Sequence, residues 1–170
     1  RSAMDYKAPD QIKSVTYNNE TNTLTVERPK DNGTTYQYYV EAFGKREGKT
    51  YRSNTITVTN ATGVKGYSYV IDDKPNTEPD DIIDATSDSF KLNLSEATGN
   101  ILHIKAIDYA GNSSETAHFE LQFLTLKGKV DHENNAIDLF WNEMPDRSQP
   151  YIYRVYQRKE GSEEFQTIST

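Results

Sequence analysis

The residues best suited to chemistry lie in one acidic stretch, Asp72–Asp84, which reads DDKPNTEPDDIID. Its carboxylates are Asp72, Asp73, Glu78, Asp80, Asp81 and Asp84. Calcium takes about six to eight oxygen ligands, and clustered Asp and Glu supply them. On that chemistry the stretch is the candidate metal site, with calcium as the one cofactor to consider. An EF-hand-like loop needs a glycine at its middle turn, and Lys74 and Pro75 stand here instead. A solvated acidic loop is the plainer reading. The only imidazoles are His103, His118 and His132. His103 and His118 fall on successive extended segments, where cross-strand side chains meet at about 5 Å. On outward faces they offer two ligands for zinc or nickel, with no third in view. An exposed strand residue is the simpler role for His103.

Asp108 invites a catalytic role, but it sits at a strand end before Gly111 and Asn112. There its carboxylate caps backbone N–H groups of a turn. Ser113 and Ser114 fit the same turn. The chain holds no GlyxSerxGly, no HisGluxxHis and no phosphate-cradling glycine loop. No nucleophile or carboxylate pair converges with a base by spacing, so the expectation is a non-enzyme with no catalytic residues.

The elements that must position these groups are strands. Leu102, Ile104 and Ala106 alternate with His103 and Lys105, and the run breaks at Asp108-Tyr109-Ala110-Gly111-Asn112. That is a half-buried strand entering a tight turn. Thr116–Phe123 follows as its antiparallel partner. Upstream, Gln11–Tyr17 and Thr23–Arg28 flank an Asn-rich turn, with Leu24 and Val26 inward. Thr35–Phe43 places Tyr36, Tyr38, Val40 and Ala42 on one face, Lys45–Lys49 is a charged loop, and Ser53–Thr59 turns Ile56 and Val58 inward. Gly66–Ile71 and Phe90–Leu94 are further strands. The two prolines between Asp72 and Asp84 exclude a helix interior or a central strand there. Eight short strands divided by turn signals predict an all-β protein, one antiparallel sandwich over residues 8–123.

After Leu124 the pattern restarts. Leu126–Val130, Ala136–Asn142, Tyr151–Lys159 and Phe165–Ile168 read as strands. They put Ile137, Leu139, Trp141, Tyr153 and Val155 on a face that needs an opposing sheet. Residues 124–170 therefore read as the first half of a further sandwich, to be completed by the first domain, by another copy, or by strands beyond Thr170. Residues 1–7 read as a cloning remnant and linker.

Composition narrows the function classes. The chain of 170 residues carries a net charge of −7, which opposes nucleic acid and anionic lipid. It contains no cysteine, which excludes disulfides, thiolate metal sites and cysteine nucleophiles. No apolar run approaches the roughly 20 residues of a membrane-spanning helix. Twelve tyrosines suit the surface of a sheet protein, or a tyrosine-rich binding face. Sequons at Asn19, Asn32, Asn60, Asn93 and Asn112 matter only in a eukaryotic source.

Several segments resemble known folds. Leu139-Phe140-Trp141 followed by Tyr153-Arg154-Val155 is similar to the second and third strands of a fibronectin type III domain, whose Trp fills the sandwich centre. Tyr38–Ala42 and Ser53–Thr59 resemble its TyrxValxAla strand and final strand. Leu102–Asn112 with Ser114 resembles the LeuHisValxAlaxAspxAlaGlyAsnxSer signature of bacterial surface Ig-like and fibronectin-like repeats. Residues 66–80 resemble the strand and loop that precede that signature in large Gram-positive exported proteins. The chain departs from the pattern in two ways: Tyr36–Phe43 and Leu102–Asp108 both look like the penultimate strand, and Leu24 and Val26 stand where the second strand carries Trp.

The resemblance implies an antiparallel fibronectin III/Ig-like sandwich plus an additional partial sandwich unit. It implies a non-catalytic spacer of a secreted or cell-wall-associated bacterial protein, packed against neighbouring domains. The rival reading is an adhesion module that binds glycan or a host surface protein through Tyr67, Tyr69 and Tyr109. A third is the accessory domain of a secreted hydrolase or toxin.

Overall fold

The computed structural model describes residues 4–169, and the described residues contain strands and no helix. The chain divides into two compact units, Arg1–Leu121 and Gln122–Thr170.

The first unit is built on two three-stranded antiparallel sheets. One joins β1 (Val15–Asn18), β2 (Thr23–Val26) and β8 (Ser89–Lys91) in the order β1-β2-β8. The turn between β1 and β2 closes as its residues dictate. Asn18 Oδ1 accepts the backbone N–H of Glu20, and Asn22 takes a left-handed conformation with φ 53°. Thr and apolar residues alternate along β2, and Leu24 and Val26 point inward, 0% and 3% exposed.

The other sheet places β9 (Ile101–Asp108) between β7 (Val64–Asp72) and β10 (Ala117–Glu120). Leu102 stands opposite Ile71 on one side and Phe119 on the other. The ring of Tyr67 on β7 stacks on Phe90 of β8 at 6.3 Å, so the two sheets meet across a shared core in a sandwich-like arrangement. Leu24, Tyr67, Leu102, Ile104 and Ala106 are fully buried there.

Two expectations about this unit change. Thr35–Phe43 does not enter the core. β3 (Thr34–Tyr38) pairs with β6 (Ile56–Asn60), and β4 (Glu41–Gly44) pairs with β5 (Lys49–Arg52), so residues 34–60 form one long hairpin arm. Its strands pair only with one another, and Val40, Phe43, Ile56 and Val58 are exposed. The alternation is real, but it belongs to a two-stranded ribbon with no sheet packed on it. The segment Lys45–Lys49 is the tip of this arm, closed by Gly48 at φ 66°.

The outer face of the β10-β9-β7 sheet is also covered. Seven of the eight residues of β9, all but Ile101, are buried whatever their parity, His103 and Lys105 included. What covers them is the acidic loop.

The second unit consists of β11 (Leu126–Asp131) paired with β12 (Ala136–Trp141), and β13 (Val155–Gln157) paired with β14 (Gln166–Ser169). The strand expected over Tyr151–Lys159 is thus reduced to its centre. Trp141 packs on Tyr153 at 6.1 Å yet stays 41% exposed, and Ile137 is 64% exposed.

Candidate functional site

The loop between β7 and β8 folds back along the sheet and uses most of its carboxylates as fasteners. Asp72 Oδ1 lies 2.7 Å from His103 Nε2, and Asp72 Oδ2 accepts the Thr77 hydroxyl at 2.5 Å. Asp81 Oδ1 accepts Lys105 Nζ at 2.7 Å and Ser113 Oγ at 2.8 Å. Asp80 accepts the Ser68 hydroxyl, Asp84 accepts the backbone N–H of Tyr69, and Glu78 accepts the Thr116 hydroxyl. Backbone bonds complete the seam: Tyr67 N–H donates to Ala85 O, and Asp84 N–H donates to Tyr67 O, both at 2.8 Å. The loop is therefore a clamp over the sheet whose outer side stays in solvent: Asp73, Glu78, Asp80, Asp81 and Asp84 are exposed, as a solvated acidic loop predicts.

The calcium expectation falls on these same residues. Among the described residues, no three acidic groups of the loop bring their oxygens together as one ion requires. Asp72, Glu78, Asp80, Asp81 and Asp84 each accept hydrogen bonds from different groups along the sheet, and Asp73 is exposed.

Burial of β9 explains why the clamp is needed. The His103 side chain is 0% exposed and that of Lys105 is 10% exposed, and a buried cation without a partner is costly. Asp72 and Asp81 meet them. Burial pushes the Asp72 carboxyl up, but hydrogen bonds from Thr77, Lys74 and His103 outweigh it and hold it below the usual carboxylate range. Hydrogen bonds from Lys105 and Ser113 lower Asp81.

His103 and His118 do stand opposite one another across β9 and β10. However, His103 is buried rather than outward, and the two Nδ1 atoms are hydrogen-bonded to each other at 2.6 Å. An ionised Asp72 only accepts, so His103 Nε2 carries a proton toward it. A neutral His103 then accepts at Nδ1 from His118 Nδ1–H. His103 spends both ring nitrogens within this relay, which leaves His118 Nε2 alone with a lone pair for zinc or nickel. His132 is exposed in the turn after β11, remote from them in sequence.

The three tyrosines named as a binding face lie in different surroundings. Tyr67 is 0% exposed, and its hydroxyl donates to Asp88 Oδ1 at 2.6 Å. Burial pushes its phenol up, and the Asp88 carboxylate beside it adds to that. Tyr67 is therefore core and belongs to no exposed aromatic platform. Tyr69 is half-buried against Phe90, with ring centroids 5.5 Å apart, whereas Tyr109 is 67% exposed. The arm carries further exposed aromatic residues: Tyr39, Phe43 and Tyr51 are 53%, 64% and 55% exposed. The Arg52 guanidinium lies 3.5 Å over the Tyr39 ring.

Asp108 caps its turn as the residue types predict, with Oδ1 accepting the backbone N–H of Asn112 and Oδ2 its side-chain amide, both at 2.8 Å. It is also one of three acidic side chains brought together. Asp5, Asp31 and Asp108 each place a carboxylate oxygen within 4.8 Å of the others. Sequence reading missed this group. Asp5 lay in residues set aside as a remnant, and Asp31 looked like ordinary turn chemistry before Asn32 and Gly33.

The clamp makes a pH prediction. Asp72 and Asp88 are held below their ordinary value in the folded chain, Asp88 because hydrogen bonds from Tyr67 and Arg28 outweigh its burial. The folded state then binds fewer protons than the unfolded one near the carboxylate pKa. Their stabilisation is complete above an unfolded pKa of about 3.9 and drains away as pH falls through it and through the lower folded values. Urea midpoints should therefore fall steeply below about pH 4. A midpoint unchanged down to pH 2.5 would remove these carboxylates from the account.

The fold and the site thus define an all-β protein of antiparallel sheets, sandwich-like in its first unit. No family model, no curated protein and no solved structure matches the chain.

Proposed function

We propose that the chain is a non-catalytic structural module of an exported bacterial cell-surface protein, a spacer that packs against neighbouring domains of a longer polypeptide. The observation that carries this reading is how its reactive groups are used. Asp72, His103 and His118 bond to one another along the sheet, as do Asp81 and Lys105, and Asp88 is tied to Tyr67 and Arg28. Each of these groups has a partner within the chain, which supports a structural use for them. Resemblance of residues 101–114 to repeats of Gram-positive surface proteins supports the setting.

A spacer must resist tension. Pulled from both ends by atomic force, the chain should give a cooperative unfolding event for the first unit, with the clamp and β9 lost together. Smooth extension without a force peak would oppose the reading.

One observation favours a second reading, recognition of glycan or of a host protein. The arm presents Tyr39, Phe43 and Tyr51 to solvent on a ribbon free of the core. Exposed aromatic groups of this kind mark interaction surfaces. On a glycan array the spacer reading predicts silence. Binding that is lost in a Tyr39→Ser, Tyr51→Ser double variant would replace it with the recognition reading.

A further inference from the structure

Buried charge is met by opposite charge, by hydrogen bonds or by a bound ion. Elsewhere in the first unit the fold uses cationic side chains: Arg28 for Asp88 and Lys105 for Asp81. At the end of β9 it does not. Asp5 and Asp108 are 4% and 1% exposed, and Asp31 converges on them with one oxygen of each carboxylate within 4.8 Å of the others. No ion pair to Lys, Arg or His is formed by any of the three among the described residues.

Hydrogen bonds account for all their oxygens but one. Asp5 Oδ1 accepts Lys7 N–H, and Asp5 Oδ2 accepts both the N–H and the hydroxyl of Thr62. Asp108 is occupied by Asn112. Asp31 Oδ2 accepts Gly63 N–H at 2.6 Å, which fixes the carboxylate and leaves Oδ1 buried with no donor. A buried carboxylate oxygen without a partner is rare and costly in a folded protein. The half-buried Asp31 carboxylate sits beside the two buried ones of Asp5 and Asp108, where repulsion adds to the cost.

We propose that Asp5, Asp31 and Asp108 bind a calcium ion, with Asp31 Oδ1 as a direct ligand. Oxygens within 4.8 Å of one another are close enough for all three to reach one calcium ion at about 2.4 Å. The donors are all hard oxygens, which disfavours zinc. Magnesium demands a near-ideal octahedron and keeps its waters, whereas calcium accepts irregular sets of carboxylate, carbonyl and water oxygen.

The ligands come from segments that hydrogen bonds already bring together: Asn32 Nδ2 donates to Ala8 O and Asp10 Oδ1, and Asn112 Nδ2 donates to Asp5 O. Asp5 belongs to the N-terminal segment, Asp31 to the loop after β2, and Asp108 to the end of β9, while Thr62 and Gly63 from the loop before β7 brace the first two. Calcium there fastens the N-terminal segment and the loops at one end of the unit to its central strand. With three protein carboxylates and water completing the shell, affinity belongs in the ~10⁻⁴–10⁻³ M range of extracellular modules.

The test uses the full chain, stripped with chelator and titrated with calcium chloride alone. A single saturable heat is expected by calorimetry. At calcium about tenfold above its Kd, the melting temperature should rise by about 5 °C. Asp31→Asn should keep the circular dichroism spectrum and lose that rise. In chelator it should melt no lower than the parent, because it removes a repelling charge. Asp73→Asn, in the acidic loop, should keep the full rise. Equal melting of the parent in calcium and in chelator would overturn the site and leave a proton shared among the carboxylates. A rise that survives Asp31→Asn but not Asp73→Asn would place calcium on the loop instead. Either failure leaves the spacer reading to its own pulling experiment.

Discussion

Leu102→Ala is expected to destabilise the first unit by about 3–5 kcal/mol, at the upper end for a leucine truncation. Leu102 is fully buried in the central strand of its sheet. It is flanked by Ile71 across one ladder and by Phe119 across the other. With a strand hydrogen-bonded on each side, the backbone cannot close on the space left, so the cavity cost adds to the lost transfer energy. Domains of this kind are stable by only about 5–15 kcal/mol. A loss of this size should lower the urea midpoint by about 2 M, taking a slope near 2 kcal/mol per molar. A loss below about 1 kcal/mol would mean that the site collapses freely and that β9 is not the centre of the core.

The second large effect is expected at Gly66. A Cβ placed there would stand 2.5 Å from Ala85 O and 2.6 Å from Ile83 Cγ2. Ala85 O is the acceptor of Tyr67 N–H, and Asp84 N–H donates to Tyr67 O. Since the nearest obstacle is backbone, Gly66→Ala must push the end of the acidic loop outward and stretch these bonds. Overpacking and lost seam bonds together should cost about 1–3 kcal/mol. The effect should be local as well as global. The loop should become the first site of proteolysis, and the covering over Lys105 should loosen, while the Leu24 side of the core keeps its protection. A variant as stable and as protease-resistant as the parent would show that the loop does not lie against β7.

Much of this architecture was legible in the residues. Alternation and turn chemistry locate Ile101–Asp108, its partner and the β1–β2 hairpin, because a period of two and an Asn- or Gly-containing turn are local properties. Asp108 as a turn cap follows from the same logic. The covering of β9 was not legible. Leu102-His103-Ile104-Lys105-Ala106 reads as one oily face and one wet face, since His and Lys count as exposed until their partners are known. Those partners, Asp72 and Asp81, come from a separate loop, and pairing at that range leaves no trace in local spacing.

The arm shows the opposite failure. Tyr36, Tyr38 and Val40 alternate like a core strand, but periodicity identifies a ribbon face without identifying what lies on it. The carboxylate cluster needed three distant segments to meet. The only sequence signals were three aspartates in or near turns, which occur in the chain many times over.

The account turns on the acidic loop as a structural clamp, and amide hydrogen exchange reads this directly. The N–H groups of Asp84 and Ala85 donate to Tyr67 O, and that of Tyr69 donates to Asp84 Oδ2. Measured on the intact chain at neutral pH, these three amides should exchange as slowly as the ladder amides of β9 and should all quicken in Gly66→Ala. Exchange at the rate of an open loop, with β9 still protected, would contradict the clamp.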